Sequence, residues 1–324
     1  MTRLKKWAAP FALLLVAAFV VAACSDDGDG GDNGGDGGDG AAATETMETR
    51  EGSDITLGAF DFGESQILAE IYGQQLEAHG FVVDRSKLQP GSPRDILKPA
   101  LEAGEVDFVP EYVGTLLTFL GGEPTADGAD NRDKAAELFA DAGVTVLPAA
   151  EEAQDVNAFV ITRELSERLG ITKVSDLADH AADLKLGGPP ECPERQFCLV
   201  GLKDVYGVEF GEFVPLDFGP RVTALKEGGI DVALLFSTDA VIATNDWVVL
   251  EDDKGLQPAE NIAPVIRTAL IDEYGDDLVN SINAVTEKLT SESLAEMNAE
   301  FQVDQRSAAD IAHDWLVEND FITE

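Results

Sequence analysis

The chain has 324 residues, 62 of them acidic and 22 basic, for a formal net charge of −40, and 44% are hydrophobic. A surface this acidic repels a polyanion and so excludes nucleic acid as a partner, while the apolar share is that of a chain that buries a core. The length implies about two domains. Three His and three Cys leave too little material for a metal cage, so neither a metal nor a cofactor is expected.

Arg3, Lys5 and Lys6 precede an apolar stretch from Trp7 to Ala23, the charged-then-apolar order of a secretory signal peptide over residues 1–23. The stretch holds Pro10 and is shorter than the ~20 residues a spanning helix needs. It ends in Val21-Ala22-Ala23-Cys24, which resembles the lipobox of bacterial lipoproteins and implies cleavage before Cys24 and lipidation of its thiol. From Ser25 to Gly40 the chain holds six Asp and eight Gly, too polar to bury anything. Residues 24–53 are therefore read as the lipidated Cys and a disordered linker. The remaining chain is still acidic, which suits solubility outside the cell but names no partner.

Ile55–Phe60 reads as a buried strand, and Glu64–His79 as a helix with Ile67, Leu68, Ile71, Tyr72 and Leu76 at helical spacing, closed by Gly80. Phe81–Lys87 reads as a second strand. Ser92-Pro93 starts a second helix, with a hydroxyl N-cap, Pro at the first position and Asp95 in the capping-box place. That helix stops at Gly104, before a strand at Val106–Val109. Strands alternating with helices imply a mostly parallel α/β sheet.

An internal repeat follows. Ala100-Leu101-Glu102-Ala103-Gly104-Glu105-Val106-Asp107 is echoed by Ala224-Leu225-Lys226-Glu227-Gly228-Gly229-Ile230-Asp231. Both read as a helix end, a Gly cap and a short strand carrying Asp at its second position. One runs into a loop at Pro110–Thr115, the other into Ser237-Thr238-Asp239. Ligands of open α/β sheets sit outside the carboxyl ends of strands, so these loops are where binding chemistry is sought. Helix-Gly-strand is also ordinary punctuation in any α/β protein.

With those segments placed, the chain resembles the solute-binding proteins of ABC importers for glycine betaine, carnitine and choline. The resemblance spans nearly all of Asp54–Glu324 and is carried by LGAFDFGES (57–65), PGSPRDIL (90–97), DFVPEYVGT (107–115), PRVTALKEGGIDVALLFSTDA (220–240), VVLEDDKGLQP and APVIR. It implies a two-lobe fold of the type II periplasmic-binding-protein kind, each lobe a mostly parallel sheet flanked by helices. Lobe I is expected at 54–157 plus 261–324 and lobe II at 158–260. It also implies a small osmolyte ligand, an ABC permease as partner, a monomer, and a place outside the cell, lipid-anchored at the outer face of the membrane.

Binding in this family resembles an aromatic cage around a quaternary ammonium, in which ring faces meet a cation. Tyr112, in PEYVGT, matches one cage position, and Thr115 stands in the same motif. Arg195, in PERQF, lies where the family places an Arg that grips a carboxylate. Cys192 and Val222 stand where full cages carry aromatics, and Phe60 where some members have Lys. Phe60, Phe62 and Phe218 offer rings from other directions, or are plain core. Tyr112 is alternatively a loop cap and Arg195 a solvated surface residue. Thr238 and Asp239 read as the N-cap of a helix running to Asn245, a role compatible with ligand contact. Ser92 carries the same double reading.

With Cys24 acylated, Cys192 and Cys198 remain as an even pair in an oxidising exterior, and a disulfide is favoured over a metal pair because no further Cys or His is near. The chain has no G-x-S-x-G, H-E-x-x-H or Walker loop, and His79, His180 and His313 fall in helical segments away from the loops above. An enzyme is thus disfavoured, while a sensor for the same kind of solute stays open beside the transporter subunit.

Overall fold

The computed structural model describes residues 50–323. The leader, Cys24 and the Gly/Asp run lie outside the described residues.

The order of elements is that of two interleaved α/β units. β1 (Ile55–Gly58), α1 (Gly63–Ala78), β2 (Val83–Lys87), α2 (Arg94–Ala103), β3 (Phe108–Tyr112), α3 (Val113–Phe119), α4 (Gly128–Phe139) and β4 (Val144–Val146) come first. The chain then crosses to β5 (Asn157–Thr162), α5 (Arg163–Leu169), β6 (Lys185–Gly188) and α6 (Leu199–Gly201), the last continuing into a π-turn at Leu202–Tyr206. β7 (Glu212–Pro215), α7 (Phe218–Glu227), β8 (Val232–Phe236), α8 (Ala240–Thr244) and β9 (Trp247–Val249) follow. A second crossing leads to β10 (Ile262–Arg267), α9 (Thr268–Tyr274), α10 (Asp276–Thr286), α11 (Ser291–Gln302) and α12 (Ala308–Glu318).

The sheets have orders β2-β1-β3-β10-β4 and β7-β6-β8-β5-β9. In each, four strands run one way and one runs against them. The reversed strands, β10 and β5, are the first that the chain enters after each crossing, so each lobe is completed by a strand delivered from the other. The crossing segments themselves pair as antiparallel chain: Gln154 bridges Asn261, Asp155 N–H donates to Glu260 O at 3.2 Å, and Ile262 N–H to Ala153 O at 3.1 Å.

Burial follows the strand period of two. On β5, Phe159 and Ile161 join one core with Leu186, Leu234, Cys192 and Cys198, while Ala158 and Val160 join another with Leu225, Leu235 and Trp247. The first sheet has a larger core, from Ile55 and Leu57 through Tyr72 and Phe108 to Ile282, Ile311 and Trp315, so α10–α12 pack on this lobe. Each buried side chain of this size contributes about 1.5–3 kcal/mol of transfer free energy. No helix among the described residues is long and apolar enough to cross a membrane.

Several local expectations shift. The linker expected to run to Ser53 is docked from Arg50 onward: Arg50 N–H donates to Gly80 O, its guanidinium lies 4.7 Å over Phe81, and Tyr274 Oη donates to Ser53 O at 2.6 Å. The third strand does not stop at Val109 but runs through Pro110 to Tyr112. Proline removes a ladder donor, yet here Pro110 faces Pro264 of β10, and β1 pairs with β3 only at Leu57 and Phe108. Ser92 does not cap α2; Pro93 is the N-cap and no side chain bonds there. The reason is that Ser92 N–H is drawn to Ala59 O at 2.9 Å, so the helix starts at Arg94.

Candidate functional site

The aromatic part of the site forms where β1 and β3 end. Phe60 follows β1 and is held by its N–H donating to Ser65 Oγ at 2.9 Å. Phe62 is the N-cap of α1, and Tyr112 ends β3. Their ring centroids lie 5.9 Å (Phe60–Phe62), 5.8 Å (Phe62–Tyr112) and 6.4 Å (Phe60–Tyr112) apart, within the range of interacting rings. Phe60 is 3% exposed and Tyr112 6%, but Phe62 is 43% exposed. One face of Phe60 is already taken by the Arg94 guanidinium, 4.5 Å from the ring centroid. Arg94 grips Glu111 with Nε and Nη2 at 2.8–3.2 Å, and Glu111 also accepts Tyr112 N–H at 3.2 Å. Phe60 is thus a wall backed by the protein's own cation, and Phe62 is the ring that faces outward.

Tyr112 does not cap a loop. Its hydroxyl donates to Glu64 Oε1 at 2.7 Å, and Glu64 Oε2 accepts from Thr238 Oγ1 at 2.7 Å and from Asn298 Nδ2 at 2.6 Å. Glu64 in α1 therefore joins the end of β3, the loop after β8 and helix α11. Burial raises the Glu64 carboxyl above its ordinary value and its three hydrogen bonds only offset part of this. Burial, reinforced by the Glu64 charge, also pushes the Tyr112 hydroxyl well up.

Thr238 and Asp239 precede α8, but neither side chain caps it. Asp239 Oδ2 instead accepts Phe236 N–H at 2.9 Å, and Oδ1 accepts Gln302 Nε2 at 3.4 Å; burial lifts its pKa to about 6. Asp155, on the first crossing segment, accepts Thr238 N–H at 3.2 Å and Ser237 Oγ at 3.3 Å, and is raised well above the carboxylate range by burial and by Glu64.

Thr115 is committed elsewhere. Its Oγ1 and N–H donate to Glu260 at 2.5 and 2.9 Å, and Gly114 N–H adds a third bond at 3.0 Å. Glu260 thereby satisfies orphan donors in the first turn of α3. A Cβ at Gly114 would lie 2.7 Å from Ala259 O, which explains the Gly of the V-G-T sequence. Burial raises Glu260 to about 7.

Arg195 stands apart from this constellation. It follows the turn Cys192–Glu194, its side chain is 38% exposed, and it lies 3.7 Å from Glu191. Cys192 and Cys198 are joined in a disulfide with Cα atoms 5.3 Å apart, so Arg195 rides on a covalently closed loop. Ser92 is half-buried at the start of the α2 segment. Among the described residues no cluster of His, Cys, Asp and Glu is arranged to hold a metal ion. An open recess of about 630 Å³ on lobe I is lined by Asp127, Arg132, Glu151, Gln154 and Asn261. It includes none of the aromatic cluster, and Arg132 and Asn261 donate within the protein.

Of the residues singled out from sequence, the structure gathers Phe60, Phe62 and Tyr112 in one ring cluster and links Tyr112 to Thr238 through Glu64, with Asp239 next in the chain; sequence reasoning passed over Glu64, Asp155, Asn298 and Gln302, which bond to these residues. Glu64 reads as an ordinary acid in a first helical turn, and in so acidic a chain no carboxylate stands out.

Two interleaved α/β lobes with binding groups at the strand ends define a two-lobe solute-binding protein. The family model described as the substrate binding domain of ABC-type glycine betaine transport system matches residues 53–318, and the chain belongs to that family. It is 25% identical over 277 residues to the glycine betaine-binding protein YehZ of Escherichia coli (strain K12), covering 82% of this chain and 90% of YehZ. It is 26% identical over 281 residues to a glycine-betaine-binding protein of Pseudomonas aeruginosa, covering 83% and 89%. A solved structure described as a glycine betaine/carnitine/choline ABC transporter superposes with a TM-score of 0.74 at 27% identity, covering 83% of this chain and 99% of the other.

Proposed function

We propose that the chain captures a small quaternary-ammonium or zwitterionic osmolyte of the glycine betaine class between its lobes and delivers it to the permease of an ABC importer. The observation that carries this reading is the group of Phe60, Phe62 and Tyr112, with ring centroids 5.8–6.4 Å apart, beside a polar junction that links Tyr112 through Glu64 to Thr238. Ring faces attract a desolvated cation, and a junction between lobes lets closure bring both lobes onto one molecule. Lobe I comprises 54–157 plus 261–324 and lobe II 158–260. Arg195, held on the disulfide-closed loop, meets the carboxylate of a zwitterion in the liganded form. The protein works as a monomer outside the cell, tethered by lipid on Cys24.

Thermal unfolding with glycine betaine, carnitine, choline and related osmolytes tests the assignment. A ligand at 100 times its Kd stabilises by about 2.7 kcal/mol; no shift with any of them rejects the ligand class. Mass spectrometry of membrane-purified protein tests the anchor, which fails if residues upstream of Cys24 are retained.

A further inference from the structure

The junction between the lobes gathers more acceptors than it can pair. Glu64, Asp155 and Asp239 converge on Thr238 and its neighbours, and among the described residues none of the three forms a salt bridge. All but one of the donors present are spent, the exception being Arg221 Nε. Tyr112 Oη, Thr238 Oγ1 and Asn298 Nδ2 go to Glu64, and Gln302 Nε2 goes to Asp239. Arg221 of α7 acts on Asp239 through its charge, while its Nη1 donates to Leu234 O.

Apart from one buried donor without a partner, Arg221 Nε, the atoms left unpaired at the junction are acceptors. Asn298 is 3% exposed, and its Oδ1, the other arm of the amide that donates to Glu64, has no donor; buried Gln302 Oε1 has none either. Two buried carboxylates, Glu64 and Asp239, the half-buried Asp155 and two orphan amide oxygens make a junction near Tyr112 that wants positive charge and hydrogen-bond donors together. A quaternary ammonium supplies the first and not the second, whereas an ammonium that keeps an N–H supplies both.

We propose that this junction, opened as the lobes part, takes the cationic end of the solute through N–H donors, with Asn298 as a specificity-determining residue. The protein then prefers a zwitterion whose nitrogen keeps at least one hydrogen over its fully methylated counterpart. This rests on the function proposed above and narrows the ligand class within it. Two bonds of Thr238 join the lobes, its Oγ1 donating to Glu64 Oε2 and its carbonyl accepting from Asn298 Nδ2, so lobe separation frees Glu64 and Asn298 for a ligand. The charged and titratable groups at the junction are Glu64 from α1, Tyr112 from β3, Asp155 from the crossing segment, Asp239 from the loop before α8 and Arg221 from α7. Burial raises all three carboxyls, Asp239 to about 6, so a cation bound beside Asp239 near pH 6 displaces a proton.

The test is calorimetry with glycine betaine, dimethylglycine, sarcosine and glycine, which share a carboxylate and differ only in methylation at nitrogen, run in two buffers of different ionisation enthalpy. The expected result is dimethylglycine or sarcosine bound at least about tenfold more tightly than glycine betaine, with proton release, and a smaller ratio in Asn298→Leu. Glycine betaine binding as tightly as dimethylglycine and sarcosine, or more tightly, overturns the inference and leaves the proposed function standing. A ratio that survives intact in folded Asn298→Leu overturns the role of Asn298. Should that variant fail to fold, the wild-type ratio and the proton release decide, and absence of either overturns the inference. If none of these ligands, nor carnitine or choline, binds, the proposed function falls and the inference with it.

Discussion

Asp107 and Asp231 occupy the same place in the two lobes and make the same pair of bonds. Asp107 N–H donates to Thr56 O at 2.8 Å while its Oδ2 accepts Thr56 N–H at 2.9 Å. Asp231 does the same with Lys185, at 3.0 and 2.9 Å. Each Asp thus clamps the start of its own strand, β3 or β8, to the neighbouring strand, β1 or β6. Each follows a helix ended by a glycine in the left-handed region, Gly104 at φ +73° and Gly228 at φ +74°, where a side chain is strained.

Replacing Asp107 by Ala should cost more than replacing Asp231. Asp107 is buried and pairs with Arg267 at 3.0 Å, so its loss strands a partly buried guanidinium as well as the Thr56 N–H. The expected loss is about 2–3 kcal/mol for Asp107→Ala and about 1 kcal/mol for Asp231→Ala, read from urea unfolding. Equal losses would show that the Arg267 pairing contributes nothing.

Glu260 makes stability depend on pH with a definite sign. Its folded pKa is about 7 against an ordinary 4.5, so between those values the folded state holds a proton that the unfolded state has released. The contribution is complete below about 4.5 and lost as pH rises through 7. Relative to Glu260→Gln, the wild type should lose on the order of 3 kcal/mol over that window. Parallel pH profiles for the two proteins would contradict the assignment.

Ligand affinity should separate Tyr112 from Arg195. A ring contact to a desolvated cation is worth up to ~2 kcal/mol, so Tyr112→Ala should weaken binding by roughly a decade for every ligand. Arg195→Ala should weaken carboxylate-bearing ligands by a further factor of several and leave choline, which has no carboxylate, nearly unchanged. Calorimetry showing both kinds of ligand equally affected by Arg195→Ala would remove it from the site.

The disulfide closes a short loop between Cys192 and Cys198 inside a buried core. Removing it as Cys192→Ser/Cys198→Ser should cost about 2 kcal/mol. Thiol labelling of denatured, unreduced protein should modify neither Cys192 nor Cys198.

Sequence by itself determined the local grammar and, through it, the architecture. The apolar spacing of Ile67, Leu68, Ile71, Tyr72 and Leu76, the stops at Gly80 and Gly104, and the echo of Asp107 in Asp231 are each set by a few neighbouring residues. Period and cap chemistry act over such distances, so strand-helix alternation could be read from the chain, while the two-lobe fold came from the resemblance to solute-binding proteins. Tyr112 was legible as a binding candidate for the same reason, standing in a short motif at a strand end. Only the tertiary structure decided that Pro110 lies inside β3, because that depends on Pro264 arriving opposite it on β10. It alone decided the polar junction: Tyr112, Thr238 and Asn298 reach Glu64 across 48, 174 and 234 residues of chain. Among 62 acidic residues, nothing local distinguishes Glu64 from a solvated helix acid. What sets it apart is burial by three distant elements, and burial is a property of the folded chain.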